Sequence, residues 1–216
     1  MNSGKLIVNE CFTSLQGEST QAGRVCHFIR LSGCNLACSY CDTRYAATGN
    51  ERSIAELISG IPSGVKLVEI TGGEPLRQPG SALLAETLLH AGYEVMVETN
   101  GSLDIDEMPP GVRRIMDCKL PSSGMAGHNL WSNYAKLTAL DEVKFVVGDR
   151  EDFDYAQNVV GRFFDAETSR WKILYSPVWG RVEFSELAQW IIDANAPGQM
   201  QLQLHKLIWG AEKTGV

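Results

Sequence analysis

The sequence lacks the features that mark several protein classes. Among its 216 residues, no apolar run approaches the roughly 20 residues that a membrane-spanning helix needs. Residues 1–5 lack the long apolar stretch of a signal peptide. Basic residues are in the minority, 19 against 26 acidic ones, and the formal net charge of −7 argues against broad contact with nucleic acid or anionic lipid. We therefore expect a soluble, cytoplasmic protein that handles small molecules, with no nucleic-acid or membrane partner.

Internal repeats, low-complexity tracts and long linkers are also lacking. A chain of 216 residues with 44% hydrophobic residues suits one domain with one core, so we expect a single domain over 1–216 that ends in a flexible tail from 210 onward. An even number of cysteines, here six, suggests disulfides mainly in short secreted chains. Nothing directs this longer chain to an oxidising compartment, so reduced thiols are expected.

Apolar strand-like segments alternate with helical segments along the chain. Strands are predicted at 7–12, 26–31, 67–71, 94–98, 114–117, 142–147, 172–175 and 200–205. Helices are predicted from a capping box at 53–56 to about 60, at 81–91, within 129–140, and at 149–164 and 185–194. This alternation implies a mostly parallel sheet with right-handed crossovers. A complete eightfold barrel takes about 250 residues, so we expect an α/β fold: a shortened, partly open (β/α) barrel of about six units.

Three cysteines, Cys34, Cys38 and Cys41, form a C-x3-C-x2-C loop. A [4Fe–4S] cubane usually takes four cysteine ligands, so three in one loop suggest a cluster with one iron left open to a small molecule. A zinc site is the main alternative, with His27 or a distant cysteine as the fourth ligand, although structural zinc often uses paired C-x2-C motifs. Simple burial as small apolar side chains is a further alternative.

The other cysteines, Cys11, Cys26 and Cys118, lie in predicted strands and are interpreted as core or site-lining residues. Unusual polar and glycine-rich segments follow the predicted strands at 71–75, 99–101, 119–124 and 176–177. In parallel α/β folds, ligands gather at the carboxyl ends of the strands. The cysteine loop and these segments are therefore expected on one face.

The cysteine loop and the Gly-Gly-Glu segment at 72–74 together resemble the radical S-adenosylmethionine superfamily. The resemblance implies a [4Fe–4S] cluster on Cys34, Cys38 and Cys41, with S-adenosylmethionine chelating the open iron. One electron would then cleave the sulfonium and release a 5′-deoxyadenosyl radical that takes a hydrogen atom from substrate. The residues that the resemblance assigns to S-adenosylmethionine are Tyr40, Asp42, Gly72, Gly73, Glu74, Thr99, Lys119, Ser122, Ser123 and Ser176.

The resemblance extends to a narrower family within the superfamily, because further matching motifs lie at 12–18, 28–36, 41–43, 98–101, 117–124 and 203–209. This set is similar to the 7-carboxy-7-deazaguanine synthase family over almost the whole chain. The resemblance implies ring contraction of 6-carboxy-5,6,7,8-tetrahydropterin to 7-carboxy-7-deazaguanine with loss of ammonia. This reaction lies on the route to queuosine and related deazapurines. It uses Mg²⁺, which the resemblance puts at Thr43, a type of oxygen ligand that Mg²⁺ accepts.

The residues expected at the pterin offer suitable chemistry. Arg30 presents a fork that suits a carboxylate, and Glu18 could accept hydrogen bonds from the pterin amino and ring N–H groups. The full set assigned to substrate is Leu15, Gln16, Gly17, Glu18, Arg30, Thr71, His205 and the chain end at Val216. His205 has an alternative role in capping the last strand, and the tail at 210–215 is flexible by composition.

Two rival functions remain open on the sequence. A radical activase that installs a glycyl radical on a partner protein shares the cysteine loop and the small size. A non-enzymatic iron–sulfur or zinc module would share the loop alone. The resemblance further implies a flavodoxin or ferredoxin as electron donor, and a homodimer.

Overall fold

The computed structural model describes residues 4–216; the first three residues of the N-terminal segment considered above lie outside this range. The strands are β1 (Lys5–Leu15), β2 (Val25–Leu31), β3 (Asn50–Ser53), β4 (Leu67–Gly72), β5 (Glu94–Thr99), β6 (Arg113–Cys118), β7 (Glu142–Val147), β8 (Lys172–Pro177) and β9 (Gln199–Met200). The α-helices are α1 (Ile54–Ser59), α2 (Gly80–His90), α3 (Arg150–Phe163), α4 (Phe184–Asp193) and α5 (Leu204–Trp209).

All these strands form one sheet, in the order β3-β1-β2-β4-β5-β6-β7-β8-β9. The strands from β2 to β9 in this order pair in parallel, while β1 is antiparallel to both β2 and β3. Over residues 4–216, β3 and β9 are the edges and do not pair with each other, so the sheet stays open. This architecture confirms the expected shortened, partly open α/β barrel. No helix between residues 4 and 216 has the length and hydropathy needed to cross a bilayer.

Alternation along the strands sorts side chains between two environments. One face carries the large core under the helices, including Ile70, Val97 and Phe145. The other face closes the amino-terminal end of the half-barrel with a small apolar cluster, whose members are Cys26, Phe28, Leu67, Met96 and Ile115. Because successive strand residues point to opposite faces, the positions two residues beyond this cluster face the same interior and lie closer to the carboxyl edge.

The predicted capping box is confirmed. Ser53 accepts a hydrogen bond from the Glu56 backbone N–H, and the Glu56 carboxylate accepts one from Ser53 N at 2.7 Å. Helix α1 ends at Ser59, before Gly60, as the sequence predicts.

The segment 129–140 contains a helix, as predicted, but it is not an α-helix. The segment Trp131–Lys136 is a 3₁₀ helix. Asn133, which is fully buried, donates to the carbonyls of Gly101 and Leu103 and accepts from Ile105 N. These bonds to the loop after β5 fix the segment in tight turns, so tertiary contacts override its α-helical pattern.

The last strand, predicted at 200–205, is largely wrong. Strand β9 has only two residues, and Leu204 and His205 begin α5 instead. The chain leaves the sheet because Leu204 N donates to Gly17 O at 2.9 Å. The segment between β9 and α5 thereby turns over the open end of the half-barrel.

Candidate active site

The cysteine loop follows β2 at the carboxyl edge of the parallel strands. Cys34 is exposed, and Cys38 and Cys41 are half-buried. The Cys34 sulfur accepts from Leu36 N at 3.4 Å and from Asn100 Nδ2 at 3.6 Å. The sulfur of Cys41 lies 3.6 Å from the hydroxyl of Thr43, so the residue expected to hold Mg²⁺ is adjacent to the loop.

Long basic side chains hold the loop by its carbonyl groups. Arg77 Nη1 donates to Cys34 O at 2.9 Å, and Arg44 Nη2 donates to Ser39 O at 2.7 Å. On the other side, Ser39 N and Oγ donate to the carbonyls of Ser123 and Ser122, at 3.0 and 2.7 Å. The loop is therefore fixed between the ends of β4 and β6.

The two glycines at the end of β4 have no side chains and so leave space for the backbone that leads into the cysteine loop. Gly72 has φ +135°, and a side chain there would overlap the Leu31 carbonyl. A Cβ on Gly73 would overlap the Gly33 carbonyl and lie 2.8 Å from Cys34 N. Both glycines thus permit backbone to pass close to backbone directly beside the first cysteine.

Glu74 joins the ends of two neighbouring strands. Its carboxylate is fully buried and accepts from Thr99 Oγ1 at 2.8 Å, Asn100 N at 2.6 Å and Leu76 N at 3.0 Å. Burial raises the pKa of Glu74, although these hydrogen bonds oppose the rise. The described contacts of Glu74 and Thr99 are therefore with each other and with the backbone around the loop.

Lys119 brings a buried positive charge to the cluster face. Its Nζ donates to Asp117 Oδ2 at 2.6 Å, and Asp117 Oδ1 has no partner among the described residues. Burial opposes the charged form, but Asp117 and the nearby Cys38 outweigh it and raise the pKa of Lys119 to about 12. A cation facing Cys38 suits an anionic cluster.

The remaining residues assigned to S-adenosylmethionine also reach this edge. Tyr40 donates from its hydroxyl to Val146 O at 3.2 Å, and Asp42 pairs with Lys206 at 2.7 Å. Ser122 bonds the Asp152 carboxylate through its hydroxyl and its backbone N–H. The hydroxyl of Ser123 donates to Leu120 O. Ser176 is buried and is the penultimate residue of strand β8.

Arg30 projects from β2 close to the same edge. Its Nε donates to Glu10 at 2.8 Å, and its guanidinium lies 5.8 Å from the ring centroids of both Phe12 and Tyr45. Over residues 4–216 neither Nη group has a hydrogen bond, so both remain for a carboxylate. A Cβ on Gly215 would lie 3.8 Å from Glu10 Oε2. The chain end therefore lies beside the Arg30–Glu10 pair, and Val216 itself is half-buried.

The loop after β1 forms the opposite wall of the site and begins at the half-buried Leu15, the last residue of the strand. Gln16 is buried, donates from Nε2 to Glu69 and accepts from Glu18 N at 3.0 Å. A side chain on Gly17 would overlap the imidazole of His205, so α5 rests directly on this loop. Burial is the main cause that lowers the pKa of His205, which favours its neutral form.

Glu18 is held by three donors. It accepts from Lys144 Nζ at 2.7 Å, Gln203 Nε2 at 2.8 Å and Gln201 Nε2 at 3.3 Å. Burial disfavours the Glu18 carboxylate, but Lys144 outweighs it, and the pKa of Glu18 lies below its usual value. Glu18 is therefore an ionised acceptor at neutral pH.

Sequence reasoning assigned no role to three charged residues of the barrel interior, Glu69, Glu98 and Lys144. Lys144 also pairs with Glu98, which accepts from Thr71 Oγ1 at 3.2 Å. Burial, and then the nearby Glu98, raise the pKa of Glu69 to about 8. The available signal was a charged residue at an inward-facing position of an otherwise apolar strand, as in LVEIT (67–71) and EVKFVV (142–147).

The six cysteines of the chain differ in their surroundings. Among the described residues, no three histidine, cysteine or acidic side chains converge on a point that could hold one ion. A cubane instead takes its cysteines on separate iron atoms. Cys118 is buried, which raises its pKa to about 12, and Cys26 lies in the small apolar cluster. Cys11 packs against the main core, so these three are packing residues as predicted.

Known proteins resemble this chain in sequence and in fold. Residues 28–117 match the model of the Radical SAM superfamily. The 7-carboxy-7-deazaguanine synthase of Methanospirillum hungatei is 41% identical over 95% of this chain and 86% of its own length. The enzyme of that name from Chlorobaculum tepidum is 38% identical over 98% of this chain and 97% of its own length.

A solved structure, QueE from Escherichia coli, superposes with a TM-score of 0.73, covers 93% of this chain and 95% of its own, and is 22% identical. That likeness supports the partial radical-SAM barrel. The resemblance seen in the motifs is thereby confirmed: this chain belongs to the 7-carboxy-7-deazaguanine synthase family, Radical SAM enzymes that use a [4Fe–4S] cluster and S-adenosylmethionine.

Proposed function

We propose that the chain converts 6-carboxy-5,6,7,8-tetrahydropterin to 7-carboxy-7-deazaguanine with loss of ammonia, with Mg²⁺ held at Thr43. The observation that carries the proposal is the meeting of two residue sets at one edge of the half-barrel. The cysteine loop lies beside a wall formed by Glu18, Arg30 and α5. One set suits a cluster, and the other suits a ring that bears N–H donors and a carboxylate.

Different residues of this chain would bind the cluster and the pterin. Cys34, Cys38 and Cys41 would hold the cluster, and bound cluster and S-adenosylmethionine together supply the radical chemistry. Arg30 would take the pterin carboxylate through its two Nη groups. Glu18 would accept from the ring N–H and amino groups, and Thr71 faces the same interior.

On the cofactor side, Gly72 and Gly73 would let S-adenosylmethionine approach the backbone closely. Glu74 and Thr99 would act by ordering that backbone, because their side chains bond each other. The other proposed contacts are Tyr40, Asp42, Lys119, Ser122, Ser123 and Ser176. Loop residues Leu15, Gln16 and Gly17 would contact the pterin with their backbone, and His205 and Val216 would close over it.

Thr43 would give Mg²⁺ one protein oxygen, with substrate and water completing its coordination. Its hydroxyl lies 3.6 Å from the Cys41 sulfur, at the end of the cysteine loop, which supports this assignment. Thr43→Ala should raise the Mg²⁺ concentration needed for half-maximal turnover while iron content is unchanged. An unaltered Mg²⁺ dependence would remove Thr43 as the ligand.

The assay for the reaction is anaerobic incubation of the reconstituted protein with the pterin, S-adenosylmethionine, Mg²⁺ and reductant. Deazaguanine product detected by mass spectrometry supports the proposal, with Cys38→Ala as the cluster-free control. Formation of 5′-deoxyadenosine without deazaguanine would contradict it. That result would favour the alternative function, a radical activase that installs a glycyl radical on a partner protein.

Several properties are proposed from family membership alone. Reduced flavodoxin or ferredoxin would replace the chemical reductant, which the same assay tests. A homodimer in solution would be seen by light scattering. We also propose that residues 1–216 form one radical-SAM domain with a C-terminal tail and that the enzyme acts in the cytoplasm.

A further inference from the structure

Lys144 occupies an inward-facing position on β7, at the centre of the half-barrel. Its neighbours in register are Asp117 on β6 and Leu174 on β8. From there Nζ reaches Glu18 in the loop after β1, at 2.7 Å, and Glu98 on β5. One ammonium group thus connects two carboxylates from different elements.

Depth separates the cation from the anions. The Lys144 side chain is 5% exposed, while those of Glu18 and Glu98 are 18% and 32% exposed. The lysine is therefore the more deeply buried partner, and both carboxylates are more accessible to a ligand than the ammonium group is.

Each carboxylate is also held by a neutral donor. Gln203 fixes Glu18 at 2.8 Å, and Thr71 fixes Glu98 at 3.2 Å. The two anions consequently have fixed directions and retain acceptor capacity, because an ionised carboxylate offers about four lone-pair sites.

The ammonium group offsets the negative charge of the carboxylates that it contacts. Carboxylates that share a buried site without a cation repel each other, and one of them then takes up a proton. Burial disfavours the charge on Lys144, but Glu18 and Glu98 outweigh it, so its pKa lies well above its ordinary value. The lysine is therefore charged throughout the working pH range.

We propose that Lys144 is a positioning residue of the substrate site, which holds Glu18 and Glu98 as a pair of anionic acceptors for the N–H and amino edge of the pterin. The inference rests on the proposed function, because it takes the pterin as the ligand. It assigns a role to a residue that would not itself contact the substrate. It also predicts preference for a ring edge that carries several N–H donors over one that carries carbonyl groups.

Other charged groups face this centre. They are Arg30 from β2, Glu69 from β4, Asp117 and Lys119 from β6, and His205 and Lys206 from α5. Three of the cations have a carboxylate partner of their own: Arg30 pairs with Glu10, Lys119 with Asp117, and Lys206 with Asp42. Glu69 with its pKa of about 8 is mostly protonated at neutral pH, and the lowered pKa of His205 leaves it neutral. Glu18, Glu98 and Lys144 are therefore the charges that set the acceptor strength.

The test measures pterin affinity of the enzyme loaded with cluster and S-adenosylmethionine, by equilibrium dialysis across about pH 5.5 to 7, where Glu69 stays mostly protonated. Wild-type affinity should change little, because Glu18 stays ionised. In Lys144→Met no cation offsets the negative charge of the site, so proton uptake should become easier and affinity should fall by about tenfold or more toward acid pH. Lys144→Arg keeps the charge and should keep the flat profile.

Two controls separate positioning from general damage. Lys136→Met removes a lysine that pairs with Asp104 outside the site and should leave affinity unchanged at every pH. Iron content and S-adenosylmethionine cleavage without pterin should match wild type in Lys144→Met. If that variant does not fold, Lys144→Gln removes the charge with a polar side chain and should give the same pH dependence.

Unchanged affinity in the neutral variants, or a loss that is equal at all pH values, would overturn the inference. Pterin that binds with the expected pH pattern but yields no deazaguanine would support the role of Lys144 and overturn the proposed reaction. A wild-type enzyme that does not bind the pterin would overturn both.

Discussion

Replacing Gly73 with alanine should prevent normal cluster assembly, because the added methyl group would occupy the space of the cysteine loop. The new Cβ would overlap the Gly33 carbonyl and lie 2.8 Å from Cys34 N. Both neighbours are backbone atoms, and the loop is anchored on each side by hydrogen bonds from Arg77 and Ser39. The clash therefore cannot be relieved by rotation of a side chain.

The size of the displacement follows from the contact distances. Nonbonded heavy atoms prefer about 3.5 Å or more, so Cys34 N must move by at least about 0.7 Å. Metal–ligand distances tolerate only about 0.2 Å, so the first cysteine would leave its ligating position. Overpacking of this kind also destabilises the fold by about 1–3 kcal/mol.

The assay measures iron and sulfide per chain after anaerobic reconstitution, together with the electron paramagnetic resonance spectrum of the reduced cluster. Gly161→Ala is the matched control, since Gly161 lies in α3 with nothing within 4 Å of the added methyl group. The control should keep full iron content and gain about 1 kcal/mol of stability from the better helix former. A Gly73→Ala protein with normal iron content and spectrum that has lost only S-adenosylmethionine binding would refute the packing argument.

Three other perturbations test the site. Cys38→Ala should abolish cluster assembly while Cys118→Ala retains it, as measured by iron content; the opposite pattern would refute the ligand assignment. Arg30→Ala should keep the cluster and uncoupled S-adenosylmethionine cleavage but reduce turnover by about tenfold or more, because a charged hydrogen-bond donor to the substrate carboxylate is lost; unchanged turnover would remove Arg30 from the substrate site. Glu69 has a folded-state pKa of about 8, above its ordinary 4.5, so the free energy of unfolding should fall as pH rises between these values, by up to a few kcal/mol. Glu69→Gln should flatten this dependence in chemical unfolding, and an unaltered slope would contradict the assignment.

The helical and strand patterns predicted most of the architecture because local and tertiary preferences agree there. The capping box at Ser53 and the buried strand at Leu67–Gly72 are examples. The structure departs from the prediction at Trp131–Lys136, which is a 3₁₀ helix, and at Leu204 and His205, which begin α5 instead of ending a strand; hydrogen bonds to distant loops decide both conformations. Propensity within a short window contains no information about such partners.

The sequence by itself determined the features that depend on nearest neighbours along the chain. Cysteines three and four residues apart must lie in one loop, and the glycines after a buried strand must permit close approach. Those two facts, with the flanking motifs, were enough to identify the family.

Only the tertiary structure decided how the separate strands combine. It joined Glu74 to Thr99 and Asn100, and it brought Lys144 of β7 to Glu18, 126 residues earlier in the chain. The physical reason is that each strand places every second side chain inside the half-barrel, while the sheet order determines which of these side chains meet. The acceptor strength of the proposed substrate site depends on these side-chain contacts, because a buried carboxylate is charged only where the fold supplies a cation or hydrogen-bond donors.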